Sequence, residues 1–203
     1  MSEHSGQNTV LVDLDGVLLD FNGRAEAILA AERPDITKMP GGKSHFYFRD
    51  HFAPADQHVI HEITARPGFF LSLPPIDYAV EGWKRIKDLG HHPQICSSPL
   101  RSNKTCVQEK IASVKYYLGR QAAREAIITS DKNVDGFALI DDRPELKESE
   151  RASWAHVVFD HPYNKYVQTD FRLRGWRDPN LKPLLASAQQ RYIELGGSAL
   201  KRW

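Results

Sequence analysis

The chain has 203 residues, enough for one domain with a sizeable core and a small inserted lobe. Its hydrophobic fraction of 41%, charged fraction of 26% and formal net charge of +1 are those of an ordinary globular chain, with no overall field to recommend nucleic acid or an anionic membrane as a partner. No apolar run nears the roughly 20 residues of a spanning helix, and the polar start, Met1 to Asn8, lacks the parts of a signal peptide. Cys96 and Cys106 have neither metal-type spacing nor a disulfide framework, so a reduced, soluble, cytoplasmic protein is expected.

Thr9-Val10-Leu11-Val12 is a short apolar, β-branched run with a Gly-containing turn close behind it, which predicts a buried strand of a parallel sheet. Gly23 to Ala31 then suits a short helix. Arg33 to Lys43, with two prolines and a Gly pair, reads as a loop. Phe46 to Phe52 is rich in aromatics, and Pro54 opens a helix over Ala55 to Ala65. Nothing between residues 22 and 66 reads as a sheet strand, so this stretch is expected to be a helical lobe.

Regular alternation follows. Ala79, Val80, Trp83, Ile86 and Leu89 share one helical face, with Gly90 at the C-terminal stop. His91-His92 falls in the turn, and Pro93 to Cys96 is a strand that ends at Ser97-Ser98-Pro99. Val107, Ile111, Val114 and Leu118 repeat at spacings of four, three and four, which predicts the next helix, closed by Gly119. Ala126 to Ile128 is a strand ending near Lys132, Phe137 to Ile140 ends at Asp141-Asp142, and Val157 to Phe159 is the last strand expected. Pro179 to Leu195 suits a terminal helix. The fold class that follows is α/β: a Rossmann-like, three-layer core on a parallel sheet, with a small helical cap inserted after strand 1. The division is residues 1–21 and 67–203 for the core and 22–66 for the cap.

Open α/β sheets bind ligands beyond the carboxyl ends of their strands. The polar groups there are Asp13 and Asp15, Ser97 and Ser98, Lys132, and Asp141 and Asp142. Clustered carboxylates suit a hard divalent cation. A lysine and a hydroxyl suit phosphoryl oxygens, and one carboxylate is left to attack phosphorus. Taken singly, each of these residues is also at home in a turn or on a solvated surface. Their joint order past successive strands is what marks a phosphoryl-transfer site.

Asp13-Leu14-Asp15-Gly16-Val17, Ser97, Lys132 and Asp141-Asp142 resemble the four-motif signature of the haloacid dehalogenase (HAD) superfamily. More closely, the run Asp13 to Phe21, Pro67-Gly68-Phe69-Phe70, Ile95 to Leu100, Lys110, Asp131-Lys132, Leu139 to Asp142 and Ser153-Trp154 is similar to the 5′(3′)-deoxyribonucleotidase family. The resemblance implies a Mg²⁺-dependent phosphatase acting on (deoxy)ribonucleoside monophosphates. Asp13 would be the nucleophile that forms an aspartyl-phosphate and Asp15 the acid and base, while Lys132 and Ser97 hold the phosphoryl group. Its metal ligands would be the Asp13 side chain, the Asp15 carbonyl and Asp142, with Asp141 the competing candidate. Phe21 and Phe46 match aromatic positions near the base, and Ser98 joins the substrate-binding set, with Tyr47 and Phe48 as neighbours. Thr64 and Ser130 depart from the family's tyrosine and arginine on the expected pocket side.

The implied partner is a small nucleotide, with no nucleic acid or membrane, and a homodimer is left open. The alternatives are a HAD-type phosphatase of another small phosphoester and a non-catalytic phosphate-binding module. His58 and His61 are expected on a solvated face, Cys96 and Cys106 as packing thiols, and Arg172, Arg174 and Arg177 as a solvated basic stretch.

Overall fold

The computed structural model describes residues 6–41 and 44–197. The first five residues of the polar start, and Gly42 and Lys43 of the predicted loop, lie outside them.

Strand β1 (Thr9–Val12) is buried along its whole length, as its unbroken apolar run requires of a strand covered on both faces. It is central in a six-stranded sheet of order β3-β2-β1-β4-β5-β6. The others are β2 (His92–Ser97), β3 (Ile127–Ile128), β4 (Ala138–Asp141), β5 (Ala155–Phe159) and β6 (Arg172–Leu173), and every pairing is parallel. The helices are α1 (Phe21–Glu32), α2 (Gln57–Ala65), α3 (Ala79–Asp88), α4 (Cys106–Leu118), α5 (Arg120–Glu125) and α6 (Leu181–Glu194). This is the expected Rossmann-like α/β core. From β1 the chain builds outward through β2 and β3, then returns to the other side of β1 with β4. The strand order therefore reverses between β1 and β4, where such sheets open a crevice.

The register sets up that crevice. Val12 is opposite Ile95 on one side and Ile140 on the other, so Asp13, Ser97, Asp141 and Asp142 emerge together at one edge. The Asp13 amide donates to the Ile140 carbonyl at 2.9 Å, extending the β1–β4 ladder to the first acid.

Four features correct the sequence reading. A sixth strand, β6, pairs with β5 at the sheet edge; two residues, one of them Arg172, leave no apolar run to betray it. The arginines that follow β5 are not uniformly solvated. Arg172 is half-buried and donates to Asp160 (2.8 Å), Asn164 and the Val167 carbonyl, while Arg174 and Arg177 are exposed, the latter with its guanidinium 3.8 Å from the Tyr78 ring centroid. His92 belongs to β2 rather than to the turn before it. Helix α4 buries only part of its apolar repeat: Val107 and Ile111 are 38% and 36% exposed, whereas Val114 is buried and Leu118 packs against the core, with Cys106, Glu109, Lys110 and Ser113 buried beside them. Polar residues can take the inner face because each finds a hydrogen-bond partner there.

Between residues 22 and 66 the described chain contains no sheet strand. Helix α1 starts from Asp20, whose carboxylate accepts the Gly23 amide at 2.8 Å, and α1 packs against α2. Phe21, Phe48, Phe69 and Phe70 form an aromatic cluster; the Phe21 ring meets Phe69 edge-on at 5.2 Å and Phe48 at 6.4 Å. The chain enters and leaves this region side by side, since the Asp20 amide donates to the Pro74 carbonyl (2.8 Å) and the Ile76 amide to Leu18 (2.9 Å). Among the described residues no helix is long and apolar enough to cross a membrane.

Candidate active site

Asp13 lies at the bottom of a cleft of about 310 Å³, within the range of small-molecule pockets. Its side chain is nearly buried; one carboxylate oxygen accepts the Leu14 amide at 2.8 Å and the other is 3.0 Å from Lys132 Nζ. Lys132 also bonds Asp141 and is 1% exposed, so its ammonium is locked between two carboxylates under the cleft rather than lining it. Burial opposes the charge on Lys132, but Asp13 and Asp141 outweigh it and lift its pKa well above the ordinary lysine value.

The two acids that end β4 are held differently. Asp141 is fully buried and has both oxygens occupied, one by Lys132 and the other by the Arg143 amide at 2.8 Å. Burial disfavours its charge, yet Lys132 prevails and keeps its carboxyl below the usual range. Asp142 lines the cleft and accepts from the Tyr163 hydroxyl. Its carboxyl is pushed well above the usual range by burial, then by Asp141 and Asp13.

Asp15 stands a quarter exposed beside the cleft, 2.8 Å from Lys110 Nζ. Its second oxygen, Oδ1, is buried with no partner among the described residues. Desolvation raises its pKa, with Lys110 opposing and Asp13 adding. Lys110 reaches in from α4 and also donates to Ser97 Oγ (2.9 Å) and to the Ser98 carbonyl (2.7 Å). Thus Ser97, at the end of β2, is tied through one ammonium to Asp15. Lys110 is the side chain that sequence reasoning left without a site role. The signal was a lysine on one helical face with Cys106, Ser113 and Val114, a smaller and more polar face than the apolar one chosen.

Gly16 sits between these groups at φ +76°, a region that costs a side-chain-bearing residue strain. A Cβ there would come within 2.3 Å of Asp142 Oδ2, so the close approach of the β1 turn to the β4 acid needs glycine. The turn is braced from β5. His161 bonds the Gly16 carbonyl at 2.6 Å and stacks on Tyr163 at 4.9 Å, while Asn164 Nδ2 donates to the Asp142 carbonyl at 2.9 Å. His161, Tyr163 and Asn164 were missed from sequence, although the rule of polar groups beyond strand ends, applied to β5, would have named them.

The helical region supplies the cleft's other wall. Phe21, Phe46, Tyr47 and Phe48 all line it, with Ser97 and Ser98 opposite on the core side. Phe46 contacts the Tyr163 ring edge-on at 5.6 Å and lies under the Arg143 guanidinium at 5.4 Å. Thr64 also lines the cleft and donates its hydroxyl back to the Ile60 carbonyl at 3.0 Å. Ser130 is exposed and does not line the cleft, so only one of the two departures touches it. His61 sits on the cleft wall, whereas His58 bonds the Ala55 carbonyl at 2.7 Å. Cys96 and Cys106 are free and buried, and burial pushes the Cys96 thiol up to about 12.

The donor set suits a hard cation. Oxygens of Asp13, Asp141 and Asp142 lie within 4.8 Å of one another, and three carboxylates there face one ammonium, Lys132. An added divalent charge would relieve the repulsion that raises the Asp142 pKa. With both Asp141 oxygens engaged, Asp142 has the freer carboxylate.

Comparison with known proteins gives a consistent picture. The family model described as "5' nucleotidase, deoxy (Pyrimidine), cytosolic type C protein" matches residues 7–190. A Bordetella bronchiseptica protein that carries the name 5′(3′)-deoxyribonucleotidase provisionally is 38% identical over 171 residues, covering 83% of this chain and 91% of its own. The Homo sapiens 5′(3′)-deoxyribonucleotidase, cytosolic type, is 33% identical over 188 residues, covering 88% of this chain and 93% of its own. In fold, the chain is similar to a HAD family hydrolase from Deinococcus radiodurans R1 solved with bound phosphate and sodium. The TM-score is 0.56 at 16% identity, over 89% of this chain and 96% of that one.

Proposed function

The chain belongs to the 5′(3′)-deoxyribonucleotidase family of the HAD superfamily and is a phosphatase of nucleotides, and we propose that Asp13 is the nucleophile of its reaction. The observation that supports this most is the placement of Asp13: at the base of the cleft, 3.0 Å from Lys132 and among Asp141 and Asp142. A carboxylate so placed faces an incoming phosphoryl group with positive charge already behind it.

In this reading an Asp13 oxygen attacks phosphorus as the bond from phosphorus to the sugar oxygen breaks, leaving an aspartyl-phosphate. Asp15 gives its proton to the departing sugar oxygen. It then takes a proton from the water whose oxygen attacks the phosphorus, which releases phosphate and restores Asp13. Lys110, bonded to Asp15 and to Ser97, holds the acid and the hydroxyl in mutual register. Lys132, 3.0 Å away, holds the Asp13 carboxylate aimed at the cleft.

Asp13, Asp142 and the Asp15 carbonyl would hold Mg²⁺, and Asp141 would serve as the anchor for Lys132. The ion would supply charge to neutralise the phosphoryl oxygens. Residues 22–66 act as the cap, and Phe46 with Tyr47 forms the face against which the base lies, with Phe21 on the same wall. A reducing setting is supported by the two free, buried cysteines, and a cytoplasmic one by the likeness to the human cytosolic-type relative.

A screen of monophosphates with Mg²⁺ tests the reading. Turnover of dUMP and dTMP should exceed that of sugar phosphates by at least about tenfold, the scale of one or two lost base contacts. Asp13→Asn should lower kcat by about 10⁴-fold or more. Equal rates on sugar phosphates would overturn the assignment of the base to the cap wall, and an active Asp13→Asn would overturn the nucleophile.

A further inference from the structure

The end of α2 and the chain that returns from it carry main-chain groups that no helix or sheet ladder satisfies. The α4 side of the molecule satisfies them. Asn103 Nδ2 donates to the Thr64 carbonyl at 3.1 Å and to the Arg66 carbonyl at 2.8 Å. The Glu109 carboxylate accepts the Gly68 amide, the Phe70 amide at 3.0 Å and the Leu71 amide at 3.3 Å. Thr105 joins the two, since its hydroxyl contacts both Asn103 Oδ1 and Glu109. Ser113 and Tyr117 continue the line by donating to the Phe70 and Leu73 carbonyls.

What this latch holds is one wall of the cleft. Ile60, His61 and Thr64 of α2 line it, and so does Phe70, whose ring centroid is 5.2 Å from Lys110 Nζ. The next residue along α4 from Glu109 is Lys110, which bonds Asp15. One turn of α4 therefore grips both the returning chain and the catalytic acid. Glu109 is only 9% exposed, and a buried carboxylate is retained at a cost unless it fills such a role. Although burial works against its charge, Thr105 and the main-chain amides keep its carboxyl below the usual range.

We propose that Asn103 and Glu109 are positioning residues that fix the α2 wall and Phe70 at a set distance from Asp13. They thereby govern binding of the part of a nucleotide beyond its phosphate. The proposal rests on the nucleotide reading above. Neither side chain lines the cleft, so their effect on substrate passes through the chain they hold.

The test uses Glu109→Gln, which puts an amide donor against the amides of the returning chain, and Asn103→Asp, which removes the donor to Thr64 and Arg66. KM and kcat are measured for dUMP and for phenyl phosphate, and amide exchange is followed at Phe70 and Leu71. Both variants should raise KM for dUMP about tenfold with kcat within about threefold, leave phenyl phosphate kinetics within about twofold, and speed exchange at the two amides. Equal losses on both substrates, an unchanged KM for dUMP, or two variants that fail to fold would overturn the proposal. If only Glu109→Gln fails to fold, Asn103→Asp decides. A wild-type enzyme that hydrolyses phenyl phosphate but not dUMP would sink the nucleotide reading instead, and amide exchange would then judge the latch.

Discussion

Four carboxylates at the cleft, Asp13 among them, share a charge problem and divide three partners between them. Asp141 and Asp13 divide the Lys132 ammonium, Asp142 takes the Tyr163 hydroxyl, and Asp15 takes Lys110. Removing Lys132 leaves three close carboxylates with no ammonium among them, and an uncompensated buried charge is costly. Lys132→Met should lower stability by about 3–5 kcal/mol in urea unfolding without metal, with part of the loss recovered on adding Mg²⁺. An unchanged unfolding midpoint would mean that the ion pairs contribute nothing to stability. Tyr163→Phe removes the hydroxyl on Asp142 while keeping the ring that stacks on His161. Loss of such a supporting bond should weaken Mg²⁺ binding about tenfold by calorimetry. If affinity is unaltered, Asp142 is oriented by the backbone alone. These partners separate what sequence could show from what it could not. The acids were legible because they follow strands directly. Lys110 was not, because a lysine in a helix acquires meaning only from what folding brings opposite it, and Tyr163 was passed over because the strand-end rule was not carried on to β5.

At the scale of elements, the β1 turn is the tightest joint of the site. It carries Asp15 and Gly16, runs against the β4 acids, and is braced by His161 from the loop after β5. Gly16→Ala should cost about 1–2 kcal/mol in backbone strain alone. It should also displace the Asp142 carboxylate, so activity should fall far more than the shift in urea midpoint accounts for. Activity that falls only in step with stability would show that the close approach is dispensable. The strands that frame this joint were legible from short apolar runs, and α3 from periodicity and its glycine stop. The facing of helix α4 was legible at Val114 and Leu118 but not at Val107 and Ile111, which are displaced by a polar face whose partners lie in distant segments. Strand β6 escaped because two residues carry no periodicity.

For the molecule as a whole, the sheet supplies chemistry and the inserted helical region supplies a wall. The crevice at the strand-order reversal gathers the acids, while Phe46, Tyr47 and Phe48 face them across the cleft. With Asp13 as the proposed nucleophile and the base proposed to lie on this wall, substrate preference would change through the wall without disturbing the chemistry. The most direct test of the nucleophile is to quench turnover of phosphate-labelled dUMP in acid and map the labelled peptide. The account predicts label on the peptide containing Asp13, lost in Asp13→Asn. Turnover with no label on the protein, or with label at another residue, would contradict it.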